Sequence, residues 1–270
     1  MAVAARGDED PVIRYREHAP HPALRPLVEC YWSVRGAVVD RVSHRVLPDG
    51  CLDLLFDLSS GAADPMPGQP EAAVVGFMTR PLPVGYRGEV ELFAVRFRPG
   101  RAAGVLGVDT HELTDRVEAL DDVWGHEGRT LFERLVAAPT TTDMRARVLD
   151  AALLSRLEDG RAATDVLMVE AVSRIVRSGG RVRIGDLARS LGISRRQLER
   201  RFPATVGASP KTAARVVRFR RVVDALHARP TDSLSMLALR QGFADQAHMT
   251  REFKAFAGRS PGAYRMERLG

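Results

Sequence analysis

The chain has 270 residues, 45% hydrophobic and 27% charged, enough apolar material for two globular domains with cores of their own. Its net charge of +6 averages two unlike parts: residues 166–270 hold 21 Lys+Arg against 8 Asp+Glu, a net of about +13, which leaves about −7 for the rest and points to a polyanion partner for the basic part alone. No apolar run is long enough for a bilayer, residues 1–10 are too short and polar for a leader, and the two cysteines, Cys30 and Cys51, lack ligand or disulfide-framework spacing, so buried free thiols in a reducing cytoplasm are expected.

In chain order, residues 1–10 read as a disordered start, 11–160 as an N-terminal domain and 161–270 as a C-terminal one. Residues 27–34 are strand-like, and residues 45–58 look like two strands about the turn Pro48-Asp49-Gly50. Residues 59–70, rich in Gly, Ala and Pro, should form an exposed loop. Two more strands are expected at 73–78 and 90–98. In the latter, Leu92, Ala94, Arg96 and Arg98 share one face and Phe93, Val95 and Phe97 the other. The expectation is an α+β domain, a small antiparallel barrel or sandwich with a helix or two. Arg96 and Arg98 are candidates to bind a carboxylate ligand, set against a salt bridge to Asp53 or Asp57. His18, His21, His44, His111 and His126 show no metal spacing. After Pro99-Gly100, short helices are expected at 102–106, 109–113 and 120–124, then amphipathic helices at 130–137 and 144–157. Glu158-Asp159-Gly160-Arg161 reads as the hinge. A helix over 165–177 opens the all-α C-terminal domain and ends at Gly179-Gly180.

Ile184–Arg265 says the same thing twice with a period of about 50 residues. Leu187-Ala188 answers Leu237-Ala238, Gly192 answers Gly242, Leu198 answers Met249 and Phe202 answers Phe253. Each copy closes on a matching tail, Gly207-Ala208-Ser209-Pro210 and Gly258-Arg259-Ser260-Pro261. The physical reading of each copy is helix, glycine turn, helix, over about 184–203 and 234–257. Leu198 and Phe202 point inward in one second helix, Met249 and Phe253 in the other. Arg195, Arg196, Glu199 and Arg200 are left outward in the first, and Gln246, Ala247, His248 and Arg251 in the second, the layout of a DNA-reading helix. Between the copies, 210–229 is one long helix stopped by Pro230, about 30 Å long at 1.5 Å per residue. One turn of DNA is about 34 Å, so one chain could place both reading helices in successive major grooves.

The repeat resembles the AraC/XylS-type transcription regulators. The resemblance rests on Asp186-Leu187-Ala188, on Ser194 through Phe202, on Gly207-Ala208-Ser209-Pro210, and on Ala238 through Phe243 followed by Thr250-Arg251-Glu252-Phe253-Lys254 and Ser260-Pro261. It covers the last third of the chain, with Met249 standing where the family usually has phenylalanine or leucine. It implies two helix-turn-helix units joined by one long helix, and a cytoplasmic bacterial regulator that is not an enzyme and holds no cofactor or metal. The partners implied are double-stranded DNA, RNA polymerase, a small-molecule effector and a second copy of the chain. An activator is one expected sense, and a repressor stays open beside it. The N-terminal part looks like the short sensor-type domain of some actinobacterial AraC-like regulators, through Leu47-Pro48-Asp49-Gly50 and Phe97-Arg98-Pro99-Gly100, and carries no known ligand.

The residues expected to contact bases are Arg196, Glu199, Arg200, Gln246, Ala247, His248 and Arg251, because arginine matches guanine, glutamine adenine, glutamate the cytosine amine, and an alanine methyl the thymine methyl. Ser194, Arg195, Thr250 and Lys254 are expected at phosphates, where they position without specifying. His248 could instead cap or pack, and Arg201 could lie against the other unit. Two other function classes remain open at this point. An alkyl-transfer repair enzyme fused to a DNA-binding module needs a reactive, metal-clustered cysteine. A non-specific architectural binder needs charge but gains nothing from an outward Glu199.

Overall fold

The computed structural model describes residues 13–59, 69–158 and 165–267. The expected disordered start at 1–10, most of the expected loop at 59–70 and most of the expected hinge at 158–161 lie outside the described residues.

The N-terminal part is built on one six-stranded antiparallel sheet: β1 (Arg14–His18), β2 (Val28–Val46), β3 (Asp53–Asp57), β4 (Ala72–Val75), β5 (Leu82–Phe97) and β6 (Val117–Ala119), in the spatial order β1-β2-β5-β3-β4-β6. β2 and β5 are much longer than their apolar cores suggest. They pair from Val28↔Phe97 to Val46↔Leu82, with register shifts at Val28/Cys30 and Val38/Val42. β5 lies between β2 and β3, so the Pro48-Asp49-Gly50 turn joins strands that are not neighbours. The turn is a corner, with Gly50 at φ 85°, a left-handed conformation that suits glycine.

The alternation along β5 sorts its side chains as its period of two requires. Phe93, Val95 and Phe97 enter the main core, while Val90, Leu92 and Ala94 pack with Val38, Leu55 and Ala73 on the opposite face. Arg96 follows on that second face, only 4% exposed. Its Nε and Nη2 donate to the two carboxylate oxygens of Asp53 at 3.2 and 3.0 Å, and Asp49 lies 3.4 Å away. Trp32 Nε1 adds a third donor to Asp53 at 3.2 Å. Burial lifts the Asp53 carboxyl, but a two-pronged guanidinium that cannot give up its proton keeps the pair charged. Arg98 lies past the strand end, exposed, and its Nε donates to Arg25 O at 2.8 Å. The two arginines are therefore not brought together.

Helices α1 (Ala103–Leu106), α2 (Leu120–Trp124), α3 (His126–Ala137) and α4 (Thr142–Glu158) cover the main-core face, with 3-10 turns at Pro22–Leu24 and Thr110–Leu113. Buried polar groups staple them down. Tyr31 Oη donates to Asp150 at 2.7 Å, Arg145 pairs with Glu91 at 2.6 Å, and Arg156 donates to Val105 O at 2.9 Å with its guanidinium 4.0 Å over the Trp124 ring.

Seven helices follow: α5 (Val166–Arg177), α6 (Ile184–Ser190), α7 (Arg195–Val206), α8 (Pro210–Ala228), α9 (Leu234–Arg240), α10 (Gln246–Ala257) and α11 (Pro261–Met266). The main hydrophobic cluster runs unbroken from Tyr31 and Phe97 through Val172, Val206 and Val216 to Phe253. The seam between the two halves is close because glycines make it so. A Cβ at Gly100 would lie 2.9 Å from Val172 of α5, one at Gly50 3.7 Å from Val216 of α8, and one at Gly207 2.7 Å from Phe77. Thr110, fully buried, donates its hydroxyl to Pro203 O and Ala204 O at 3.3 and 3.0 Å, and Thr114 donates to Gly207 O. Pro203 O also accepts from Gly207 N at 2.7 Å, so the Thr110 hydroxyl adds to that bond and caps Ala204 O in the last turn of α7.

Two expectations follow. Gly192 (φ 70°) and Gly207 (φ 86°) share a left-handed backbone, but nothing lies within 4 Å of a Cβ at Gly192. Gly192→Ala should cost only the backbone term, about 1–2 kcal/mol, whereas Gly207→Ala adds an overpacking cost of about 1–3 kcal/mol. Urea unfolding of the two variants measures the difference. Secondly, burial pushes the Cys30 thiol up to about 12 and Cys51 well above its ordinary value. At pH 8 only about one Cys30 in ten thousand is thiolate. Iodoacetamide should leave both cysteines unmodified in the folded protein and label both in urea, as read by intact mass. Rapid native labelling would restore the reactive-cysteine reading.

Candidate nucleic-acid interface

Each repeat folds as the same short program. In the first unit α6 ends in a turn through Gly192, and Ser194 caps α7. The cap is reciprocal: Ser194 Oγ accepts from Gln197 N at 3.2 Å, and Gln197 Oε1 accepts from Ser194 N at 2.8 Å. Leu198 and Phe202 are fully buried, which fixes the rotation of α7. Arg195, Arg196, Glu199 and Arg200 are consequently all exposed. Glu199 accepts from Arg195 Nε at 2.8 Å, one turn away.

In the second unit α9 ends at Gly242 (φ 78°) and Asp245 caps α10, its carboxylate accepting from His248 N at 2.6 Å. Met249 and Phe253 are buried, so the methionine fills the position of its counterpart Leu198 in the first unit. Gln246, Ala247, Arg251 and Lys254 are exposed, while Thr250 and His248 are half-buried. The His248 ring stands edge-on to Phe243, centroids 5.4 Å apart. It both packs and presents an edge outward.

The matching tails are a stop followed by a start. Gly207 and Gly258, both left-handed, end the reading helices. Ser209 and Ser260 then cap α8 and α11 by accepting from Thr212 N and Ala263 N at 3.1 and 3.2 Å, with a proline at the first helical position of each. α8 holds the two units together. Phe219 packs against Phe253 and Phe256 with centroids 5.0 and 5.3 Å apart. Arg215 pairs with Glu252 at 2.6 Å, and Arg221 Nε donates to Gln241 at 3.0 Å. At 19 residues α8 is about 28 Å long, close to one turn of DNA.

The structure brings the eleven residues expected at DNA onto the reading helices and their caps, with apolar partners beneath. Arg201 goes elsewhere: its guanidinium makes two bonds to Asp165, at 3.0 and 2.9 Å, and Asp165 also caps α5. Arg218 was not singled out from the sequence. It sits 5.3 Å from the Phe243 ring, its Nε is buried without a partner, and burial lowers its pKa. Among the described residues, no helix is long and apolar enough to cross a membrane.

Two family models match the chain. Residues 187–267 match a family described as a helix-turn-helix domain, and residues 16–119 match a domain of unknown function, DUF6597. A curated relative, the Msm operon regulatory protein of Streptococcus mutans serotype c, is 31% identical over 116 residues, 42% of this chain and 41% of the relative. The match thus spans about two fifths of that relative's length. Among solved structures, ToxT from Vibrio cholerae covers 89% of this chain and 98% of its own at 11% identity and a TM-score of 0.46. An AraC-type DNA-binding domain from Chromobacterium violaceum covers 38% and 91% at 27% identity and a TM-score of 0.35. At these scores the structural likeness is one of outline only. The helix-turn-helix match spans both units, so the C-terminal part of the chain, over residues 187–267, belongs to a helix-turn-helix domain family.

Proposed function

We propose that this protein is a sequence-specific, DNA-binding transcription regulator that reads two short blocks of sequence from a single chain. The observation that carries the reading is the pairing of two capped helices, each anchored by buried side chains one turn apart and each with an exposed polar face. Helix α8, 19 residues and about 28 Å long, joins the two units. Arg196, Glu199 and Arg200 of α7 and Gln246, Ala247, His248 and Arg251 of α10 are assigned to base edges. The first Arg195–Glu199 ion pair is exposed and opens at little cost when phosphate takes the arginine. Ser194, Arg195, Thr250 and Lys254 are assigned to phosphates. Ser194 serves its cap as an acceptor, which leaves its hydroxyl proton for a phosphate oxygen.

In this reading 161–270 is the DNA-binding domain and 11–160 the domain that senses an effector or mediates dimerisation. A small molecule, RNA polymerase and a second copy are the further partners it implies. Regulation is then linkage: whatever prefers one arrangement of the first domain shifts the population competent for DNA. Arg96 is committed to Asp53, so an effector carboxylate would have to compete with a buried ion pair, and the reading assigns it no ligand.

Selection of bound sequences from random duplexes at near-physiological salt tests the proposal. Two enriched blocks about one helical turn apart are expected, and no enrichment would sink it. Arg251→Ala should weaken the best site by about 1–3 kcal/mol and relax preference at one or two base pairs. A titration series over matched and mismatched duplexes checks this. An equal loss on every duplex would move Arg251 to the phosphate set.

A further inference from the structure

The two repeat tails lie beside the same piece of the N-terminal domain. At the end of α7, a Cβ on Gly207 would lie 2.7 Å from Phe77 Cβ. At the end of α10, a Cβ on Gly258 would lie 3.8 Å from Pro81 and 3.4 Å from Arg45. Phe77 and Pro81 are the ends of one five-residue segment between β4 and β5. Four residue steps span at most about 14 Å, so the segment is a short tie between the two corners.

We propose that Phe77–Pro81 is a brace that fixes the separation of the two reading helices and so determines how many base pairs the protein accepts between its two blocks. The DNA half of this inference rests on the function proposed above.

The segment is held at both its entry and its middle. Gly76 enters so closely that a Cβ there would overlap Leu113 O. Phe77 is buried, and its carbonyl accepts from Asp115 N at 3.0 Å. Thr79 donates its backbone N–H and its hydroxyl to the Asp115 carboxylate at 2.6 and 2.5 Å. Asp115 is the one described non-glycine residue with positive φ, 56°. A side chain is kept in a left-handed backbone because its carboxylate pins the segment. Asp115 is also one residue beyond Thr114, which bonds Gly207 O. One corner of the domain therefore grips the end of α7 directly and reaches the end of α10 through the segment.

The brace closes a triangle whose other side is α8. Without it, α10 could swing about α8 while keeping its own packing on Phe219. With it, a swing that carries Gly258 toward Pro81 runs into the pinned segment. All these contacts are at the C-terminal ends of the reading helices, so the exposed faces of Arg196 and Arg251 stay clear. The consequence for DNA is geometric. Each added base pair displaces a block by about 3.4 Å and rotates it by about 35°, which a braced pair of helices cannot follow.

The test uses full-length protein carrying Thr79→Val or Asp115→Gly. The glycine keeps the left-handed backbone and removes the pin. Binding is measured on duplexes whose two blocks are set from two base pairs closer to two further apart. The unmodified chain should prefer one spacing by about tenfold or more, and the variants should accept neighbouring spacings to within about threefold with the blocks themselves unchanged. A folded variant with the original spacing preference would overturn the brace. Distances between spin labels at Arg189→Cys on α6 and Ala255→Cys on α10, in a Cys30→Ala, Cys51→Ala background, decide it without DNA. A narrow distribution should broaden in Asp115→Gly, and an unchanged one refutes the proposal even if no sequence is read. Should Asp115→Gly fail a cooperative melt, Thr79→Val, which removes only the hydroxyl bond, carries both measurements.

Discussion

Phe219 is where the C-terminal domain is decided. Its ring, fully buried in α8, touches Phe253 and Phe256 of α10, while Val216 one turn earlier lies against Gly50 of the N-terminal domain. Everything that makes the reading helices useful follows from such anchoring. A helix with arginine and glutamine along one side has no reason of its own to present that side outward. Phe202 and Leu198 in α7, and Phe253 and Met249 in α10, supply the reason, because burying them leaves only one rotation available. The charged face is then held free, with its exposed ion pairs worth little and easily exchanged for phosphate.

The helical half was legible because its signals are local. A spacing of three and four, a glycine stop, a serine start and a proline at the first position are each a property of a few consecutive residues. The observed α6, α9 and α10 lie within the expected units over about 184–203 and 234–257, while α7 runs on to Val206. The repeat added a second, independent reading of the same pattern. The N-terminal sheet was legible only where strands are apolar enough to declare themselves. β3, β4 and the end of β5 were visible. The arms of β2 and β5 beyond Val34 and before Val90 were not, since Arg35-Gly36-Ala37 and Val84-Gly85-Tyr86 carry no clean alternation and are held by pairing with each other. β1 and β6 are short edge strands, which the sequence does not mark. Likewise, the Pro48-Asp49-Gly50 turn announces a reversal but not its partner strand, and β5 takes the place beside both flanking strands.

The sites divide in the same way. Outward residues on a reading helix follow from its inward ones, so all eleven expected at DNA fall on or beside α7 and α10. Arg96 illustrates the opposite case. The alternation put it correctly on the face of Leu92 and Ala94, but whether that face was wet, and whether Asp53 or a ligand met it, depended on β3 lying beside β5 at the register Asp53↔Arg96. Arg98 differs from it only by lying past the strand end, which a pattern of period two does not reveal.

The glycines give the seam its stiffness. Gly50, Gly100 and Gly207 belong to motifs readable as turns and stops, and each explanation is sufficient by itself. In the folded protein the same residues also lie where the two halves approach, with Val172 and Phe77 filling the space a Cβ at Gly100 or Gly207 would need and Val216 at ordinary contact distance from a Cβ at Gly50. A left-handed backbone and a missing Cβ are thus used twice, once to turn the chain and once to admit a neighbour. Contacts of this kind are short-ranged and repulsive, so they tolerate little sliding. Movement of Phe77 toward Gly207, or of Gly100 toward Val172, therefore has to carry α7 or α5 with it.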